Sequence, residues 1–174
     1  MSTPDPEPPA LVVFDIDGVL ADVAHRLHHL ERRPKDWAAF FAAAGDDPVL
    51  RNGVDLAHEL AESRPVLYLT GRPEWLRRTT EDWLARHELP AGGLVMRRHG
   101  DRRPARVAKL ELLREVASRQ PVHVVVDDDP AVVAGLRDAG FAVLHATWAT
   151  TARTTGPGET QPTLWEAQES DGRT

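Results

Sequence analysis

A chain of 174 residues with 41% apolar and 28% charged side chains is long enough for one domain with a sizeable core. The absence of cysteine excludes disulfides, thiolate nucleophiles and cysteine-rich zinc sites. A net charge of −6 excludes broad, non-specific coating of nucleic acid, which takes an extended basic surface.

Residues 1–10, with four prolines and two acids, read as a disordered lead-in. That stretch has no basic residue and no apolar run, so it is not read as a signal peptide. No apolar stretch approaches the ~18 residues that span a bilayer. The expectation is a cytoplasmic protein that does not engage membranes. Leu11 to Phe14 is a short apolar run of the kind that forms a strand buried on both faces, broken by Asp15-Ile16-Asp17-Gly18. About thirty residues of helical composition follow, including a short helix over 36–44 that ends at Gly45. An insertion at about 19–51, just after the first strand, reads as a small helical cap over whatever site lies there.

The rest alternates. A helix over 54–63 has Asn52 as its expected N-cap. A strand covers 66–69, and a helix over 73–87 starts at Pro73. A weaker strand at 94–96 and a helix over 104–118 come next. A strand over 122–126 leads to a helix over 130–139 that stops at Gly140, and a last strand covers 141–144. Strands alternating with helices predict an α/β fold: a three-layer, Rossmann-like parallel sheet with helices on both faces. Residues 149–174, rich in Thr, Gly and Pro, read as a mobile tail on which Leu164 and Trp165 are candidates for docking.

In open α/β sheets ligands bind at the carboxyl ends of the strands. The first strand presents Asp15 and Asp17 there, the second Thr70-Gly71-Arg72, and the fourth Asp127-Asp128-Asp129. Carboxylates crowded together resist ionisation unless a cation lies among them, and an all-oxygen donor set favours a hard ion, Mg²⁺. Thr70, the N–H groups after it and a helix starting at Pro73 would form a phosphate cradle. Lys109 lies early in its helix and adds a positive charge. Asp129 reads as an N-cap.

These residues resemble the four motifs of the haloacid dehalogenase superfamily: D-x-D-G at 15–18, T-G-R at 70–72, Lys109, and D-D at 127–128. The resemblance covers about residues 11–148. It implies that Asp15 attacks phosphorus to form an aspartyl-phosphate and that Asp17 is the general acid and then the base. It also implies that Thr70 and Lys109 hold the phosphoryl oxygens, and that Asp15, the Asp17 carbonyl and Asp127 or Asp128 ligate Mg²⁺. An acid two residues after the nucleophile points to cleavage at phosphorus. Within the superfamily the sequence is most similar to the phosphatase domain of polynucleotide kinase-phosphatases. The matching features are Arg26 eleven residues after the nucleophile, Arg72, the Trp83-containing helix, the Arg-rich approach to Lys109, and Val132-Val133 before Gly140. In that subgroup the two arginines contact phosphate. There is no P-loop signature, and Asp129 stands where an Arg can follow the acidic pair.

Two arginine-rich stretches (Arg97, Arg98, Arg102, Arg103, Arg106; and Arg26, Arg32, Arg33, Lys35) would border the site and steer a multiply phosphorylated substrate or a nucleic-acid end. His25, His28 and His29 read as a polar helix face, and Trp75 and Trp83 as core residues; core packing is also the default for Trp37, Phe40 and Phe41. Expected substrates are a phosphorylated small molecule, a nucleotide or a nucleic-acid end. A metabolite phosphatase or phosphomutase is the alternative of the same chemistry, and a phosphate-binding or protein-interaction module without turnover is the alternative of another class.

Overall fold

A computed structural model of the protein describes residues 8–31 and 33–149. The expected tail from residue 150, with Leu164 and Trp165, lies outside the described residues, as do residues 1–7 of the lead-in and Arg32. Five strands form one parallel sheet: β1 (Leu11–Phe14), β2 (Val66–Pro73), β3 (Gly92–Arg97), β4 (Val122–Asp127) and β5 (Val143–His145). Their order is β3-β2-β1-β4-β5, so β1 lies in the centre with β2 and β4 against it.

Alternate side chains of the strands feed two separate cores, as the two-residue period requires. Val12, Phe14, Val66, Tyr68 and Val126 pack beneath α3 (Arg51–Ala61) and α4 (Arg77–Arg86) through Val54, Ala57 and Trp83. Leu11, Val13, Leu67, Leu69 and Val125 meet α5 (Ala105–Ala117) and α6 (Pro130–Asp138) through Ala105, Leu112, Leu113, Val132 and Leu136 on the other face. Central strands covered on both sides explain why they read as continuous apolar runs.

Between β1 and α3 lie α1 (His28–Glu31), α2 (Trp37–Ala42) and two short 3-10 turns. Val23, Leu27, Leu30 and Phe40 form a small core of their own there. Asp36 caps α2 by accepting the Ala39 N–H at 2.9 Å.

Four local expectations are corrected. The helix expected from Pro73 begins at Arg77, because β2 runs on through Thr70-Gly71-Arg72 to Pro73, which is extended at φ −70°, ψ 150° and pairs with Arg97. A 3-10 turn over Glu74–Leu76 intervenes, so no helix N-terminus stands directly behind Thr70. Asn52 lies inside α3, whose N-cap is Leu50 with no side-chain hydrogen bond. Trp83 is fully buried, but Trp75, expected in the core, is 59% exposed on the intervening turn. No described helix is long and apolar enough to cross a membrane.

Candidate active site

The carboxyl ends of β1, β2 and β4 converge. The Asp15 N–H donates to Val126 O at 2.9 Å, which locks the end of β1 beside the end of β4. Lys109, early in α5, reaches across with its Nζ 2.7 Å from Asp15 Oδ2 and 2.7 Å from Asp127 Oδ2. Asp127 Oδ1 accepts the Asp129 N–H at 3.0 Å. Asp129, read from the sequence as an N-cap, accepts from Ala131 N and Val132 N at the start of α6, with Pro130 in the first turn. Gly18 takes φ +81°, and a Cβ there would lie 2.1 Å from Asp128 Oδ2. The glycine of D-x-D-G therefore makes both the turn and the room for the Asp128 carboxylate.

Asp15, Asp127 and Asp128 each offer an oxygen within 4.8 Å of the others. Asp15 Oδ1 is buried and has no hydrogen-bond partner. Burial pushes the Asp15 carboxyl up to about 7, against the pull of Lys109. Burial also raises Asp127 and raises Asp128 well above the usual carboxylate range, the latter with help from neighbouring Asp15 and Asp127. A buried, unpaired acceptor among carboxylates that resist ionisation fits a small hard cation, and the donor set is oxygen only. The residues present therefore fit Mg²⁺.

Asp17, two residues on, faces two guanidiniums. Its Oδ1 accepts from Arg26 Nη2 at 2.9 Å, Arg72 Nε at 2.9 Å and Arg72 Nη2 at 2.6 Å. Burial works to raise Asp17, but Arg72 and Arg26 outweigh it and hold the carboxyl below its ordinary value. Both arginines, expected at the phosphate, are fully buried and also grip Asp47. Arg26 Nε meets Asp47 Oδ1 at 2.7 Å, Arg26 Nη2 meets Oδ2 at 2.8 Å, and Arg72 Nη2 meets Oδ2 at 2.8 Å. The Arg26 guanidinium also stacks 4.1 Å over the Phe40 ring.

Asp47 was not singled out from the sequence. It follows α2 in a loop, beside Asp46 and Pro48, and nothing local separates it from an ordinary turn acid. Charge counting is the one signal that would have found it, since two guanidiniums buried beside one carboxylate need a second. Asp47 is itself fixed by His25 Nε2 at 2.7 Å, and its carbonyl accepts the Trp83 indole N–H at 2.8 Å.

Thr70 is buried, and its Oγ1 accepts the Arg72 N–H at 3.2 Å. Around Gly71 the space that a Cβ would fill is open. The arginine-rich stretch before Lys109 is largely paired with acids. Arg98 meets Glu115 at 2.6 Å, and Arg103 meets Asp101 at 2.8 Å and Glu111 at 2.5 Å. This pairing weakens the steering field expected of it, and Arg26 lies buried between Asp17 and Asp47 rather than on the surface.

The arrangement can position a nucleophilic carboxylate beside a cation and a lysine, with a second, arginine-held carboxylate for proton transfer. A family model described as the polynucleotide kinase PNKP phosphatase domain matches residues 9–148. No curated protein matches the sequence. Among solved structures, two described as Pnkp1/Rnl/Hen1 complexes, one of them as an RNA repair complex, align with TM-scores of 0.66 and 0.67 at 24% and 25% identity. They cover 83% of this chain, which spans only 44% and 48% of those chains, less than half their length. The HAD-hydrolase YfnB from Bacillus subtilis bound to magnesium aligns at TM-score 0.57 and 11% identity, over 81% of this chain and 90% of its own. That likeness is one of fold. The ordered motifs at three strand ends and the match over nearly all described residues lead to one assignment: the chain belongs to the polynucleotide kinase PNKP phosphatase domain family and is a phosphatase of the haloacid dehalogenase type.

Proposed function

We propose that the chain is a Mg²⁺-dependent phosphatase that works through an aspartyl-phosphate on Asp15 and acts on nucleotide or nucleic-acid 3′-end phosphates. The observation that carries the reading is Asp15 itself. One of its oxygens lies 2.7 Å from Lys109, and the other is buried, unpaired and within reach of Asp127 and Asp128.

Asp15, Asp127, Asp128 and the backbone carbonyl of Asp17 would hold Mg²⁺, which when bound neutralises phosphate charge and offsets its repulsion from the nucleophile. Thr70, the Gly71 N–H and Lys109 bind and orient the phosphoryl group. A carboxylate oxygen of Asp15 attacks phosphorus, the ester P–O bond breaks, and the departing oxygen takes a proton from Asp17. Asp17, now ionised, removes a proton from water. The water oxygen attacks phosphorus, the bond to Asp15 breaks, and inorganic phosphate leaves. Arg26 and Arg72 hold Asp17 in place and add positive charge beside the phosphoryl position. Residues 19–50 act as a small cap that leaves room for a bulky substrate.

The family match and the RNA repair relatives support a nucleic-acid end as substrate. The acid-paired arginines before α5 favour the second reading, a small-metabolite phosphatase, to the extent that they remove basic surface.

The test is Asp15→Asn, assayed with an aryl phosphate and Mg²⁺. Turnover is expected to fall to background, and acid quenching of the unaltered enzyme with ³²P-labelled substrate is expected to trap label that the variant does not carry. Retained turnover refutes the mechanism. Faster phosphate release from sugar phosphates than from a 3′-phosphorylated oligonucleotide shifts the substrate to the metabolite class.

A further inference from the structure

Asp127 and Asp128 are anchored in different ways. The Asp127 carboxylate is held directly, by Lys109 Nζ at 2.7 Å and by the Asp129 N–H at 3.0 Å. The Asp128 carboxylate instead lies over Gly18, where a Cβ would stand 2.1 Å from Oδ2, and beside the like charges of Asp15 and Asp127. Those charges push it away from the place where a shared cation needs it. Its position therefore depends on its own backbone, and the turn that carries it is fastened at each residue. β5 runs parallel to β4 with His145 opposite Asp127, and the Ala146 N–H donates to the Asp127 carbonyl at 2.9 Å. The Asp129 carboxylate caps α6. Between them, His145 Nε2 lies 3.1 Å from the Asp128 carbonyl oxygen. A carbonyl only accepts, so this contact selects the tautomer with a proton on Nε2. His145 is half-buried at the carboxyl end of an edge strand, and no step of the proposed reaction uses it.

We propose that His145 is a positioning residue of the metal centre: by donating to the Asp128 carbonyl it holds the turn over 127–129 in the form that keeps the Asp128 carboxylate beside Asp15 and Asp127. The assignment rests on the Mg²⁺-dependent reading of the site and adds a residue from β5, a strand that carries none of the motifs. His145 acts through Asp128 rather than on the ion. Groups that orient a metal ligand from behind typically set affinity by about 10–100-fold. The consequence falls on ion affinity rather than on phosphoryl transfer, because Asp15 is held by Lys109 and Asp17 by Arg26 and Arg72.

The experiment measures Mg²⁺ affinity without substrate, from the concentration dependence with which the ion raises the melting temperature of the full chain. His145→Ala is expected to bind Mg²⁺ about tenfold or more weakly. His145→Gln, whose side-chain amide can donate to the same carbonyl, is expected to recover most of that loss. Arg137→Gln removes a 3.0 Å bond to the Val143 carbonyl at the other end of β5 and is expected to leave the affinity unchanged, which separates this one contact from a general loosening of the strand. Turnover of an aryl phosphate by His145→Ala is expected to return towards that of the unaltered enzyme at saturating Mg²⁺. Should His145→Ala fail to fold, imidazole ¹H–¹⁵N correlation spectra of the unaltered protein still decide: a proton on Nε2 is expected, and a proton on Nδ1 alone overturns the contact. Unchanged Mg²⁺ affinity in His145→Ala, no recovery in His145→Gln, or an equal loss in Arg137→Gln overturns the role of His145 and leaves the phosphatase reading intact. An unaltered chain whose melting temperature does not respond to Mg²⁺ overturns the metal reading and this inference together.

Discussion

Asp17 accepts three N–H groups from Arg26 and Arg72 on a single oxygen, Oδ1, so its carboxyl is held low although it is almost fully buried. In the proposed mechanism Asp17 needs a proton, and the approach of an anionic phosphoryl group would supply the opposing field that lets it take one. For alkyl phosphates with saturating Mg²⁺, which keeps Asp15 ionised, kcat/KM is therefore expected to fall as pH rises, because the small protonated fraction of Asp17 in the free enzyme shrinks. Asp17→Asn is expected to slow alkyl phosphates by about a hundredfold or more, the usual scale of general acid–base catalysis. The deficit in kcat/KM, which reports only the steps up to the aspartyl-phosphate, should shrink with nitrophenyl phosphate, whose leaving group departs without a proton. An equal loss with both substrates counts against proton donation. Asp47 holds the same two arginines from the other side. Asp47→Asn leaves two buried guanidiniums facing one carboxylate and is expected to cost about 3 kcal/mol of stability, read by urea unfolding, with a lower kcat.

At the scale of elements, the strands were legible because each central run is buried on both faces and carries β-branched or aromatic residues. The helix starts were less so. Pro73 has the φ of a first-turn residue and equally that of a strand end, and only its pairing with Arg97 decides between them. Asn52 has the chemistry of an N-cap, yet α3 begins a turn earlier because the Gly53 N–H and Val54 N–H bond to the Leu50 carbonyl. Gly53 shows how tertiary contact reverses a local preference. Alanine normally stabilises a helix interior over glycine by about 1 kcal/mol. Here a Cβ would lie 1.9 Å from the Val19 carbonyl oxygen, so Gly53→Ala is expected to lower the melting temperature instead. Differential scanning calorimetry gives the sign directly.

For the whole molecule, the site is a charge problem that the fold creates. Burial raises Asp15 to about 7 and raises Asp127 and Asp128 as well, so between the ordinary carboxylate range near pH 4 and pH 7 the folded state binds more protons than the unfolded chain. Stability of the chelated protein is therefore expected to fall as pH rises through that window. Asp17, depressed in the fold, is ionised in both states there and adds no slope. Melting curves at pH 5.5 and 7.5 with and without Mg²⁺ check this. The metal-free protein should melt lower at pH 7.5, and the ion should raise the melting temperature more there. A pH-independent midpoint would sink the account of the carboxylate cluster. The sequence by itself determined the alternation that makes a parallel sheet, and it placed acids at the ends of β1 and β4, because residue type and strand period are local properties. It also held Arg26, Arg72, Lys109 and Thr70 as candidates. Only the tertiary structure decided which charges meet: that Asp47 from a distant loop shares Arg26 and Arg72 with Asp17, that Trp75 faces solvent, and that two Arg97 donors are left unpaired. Such pairings depend on where separate elements dock, and Coulomb energy and desolvation act on distances that no local pattern of residues encodes.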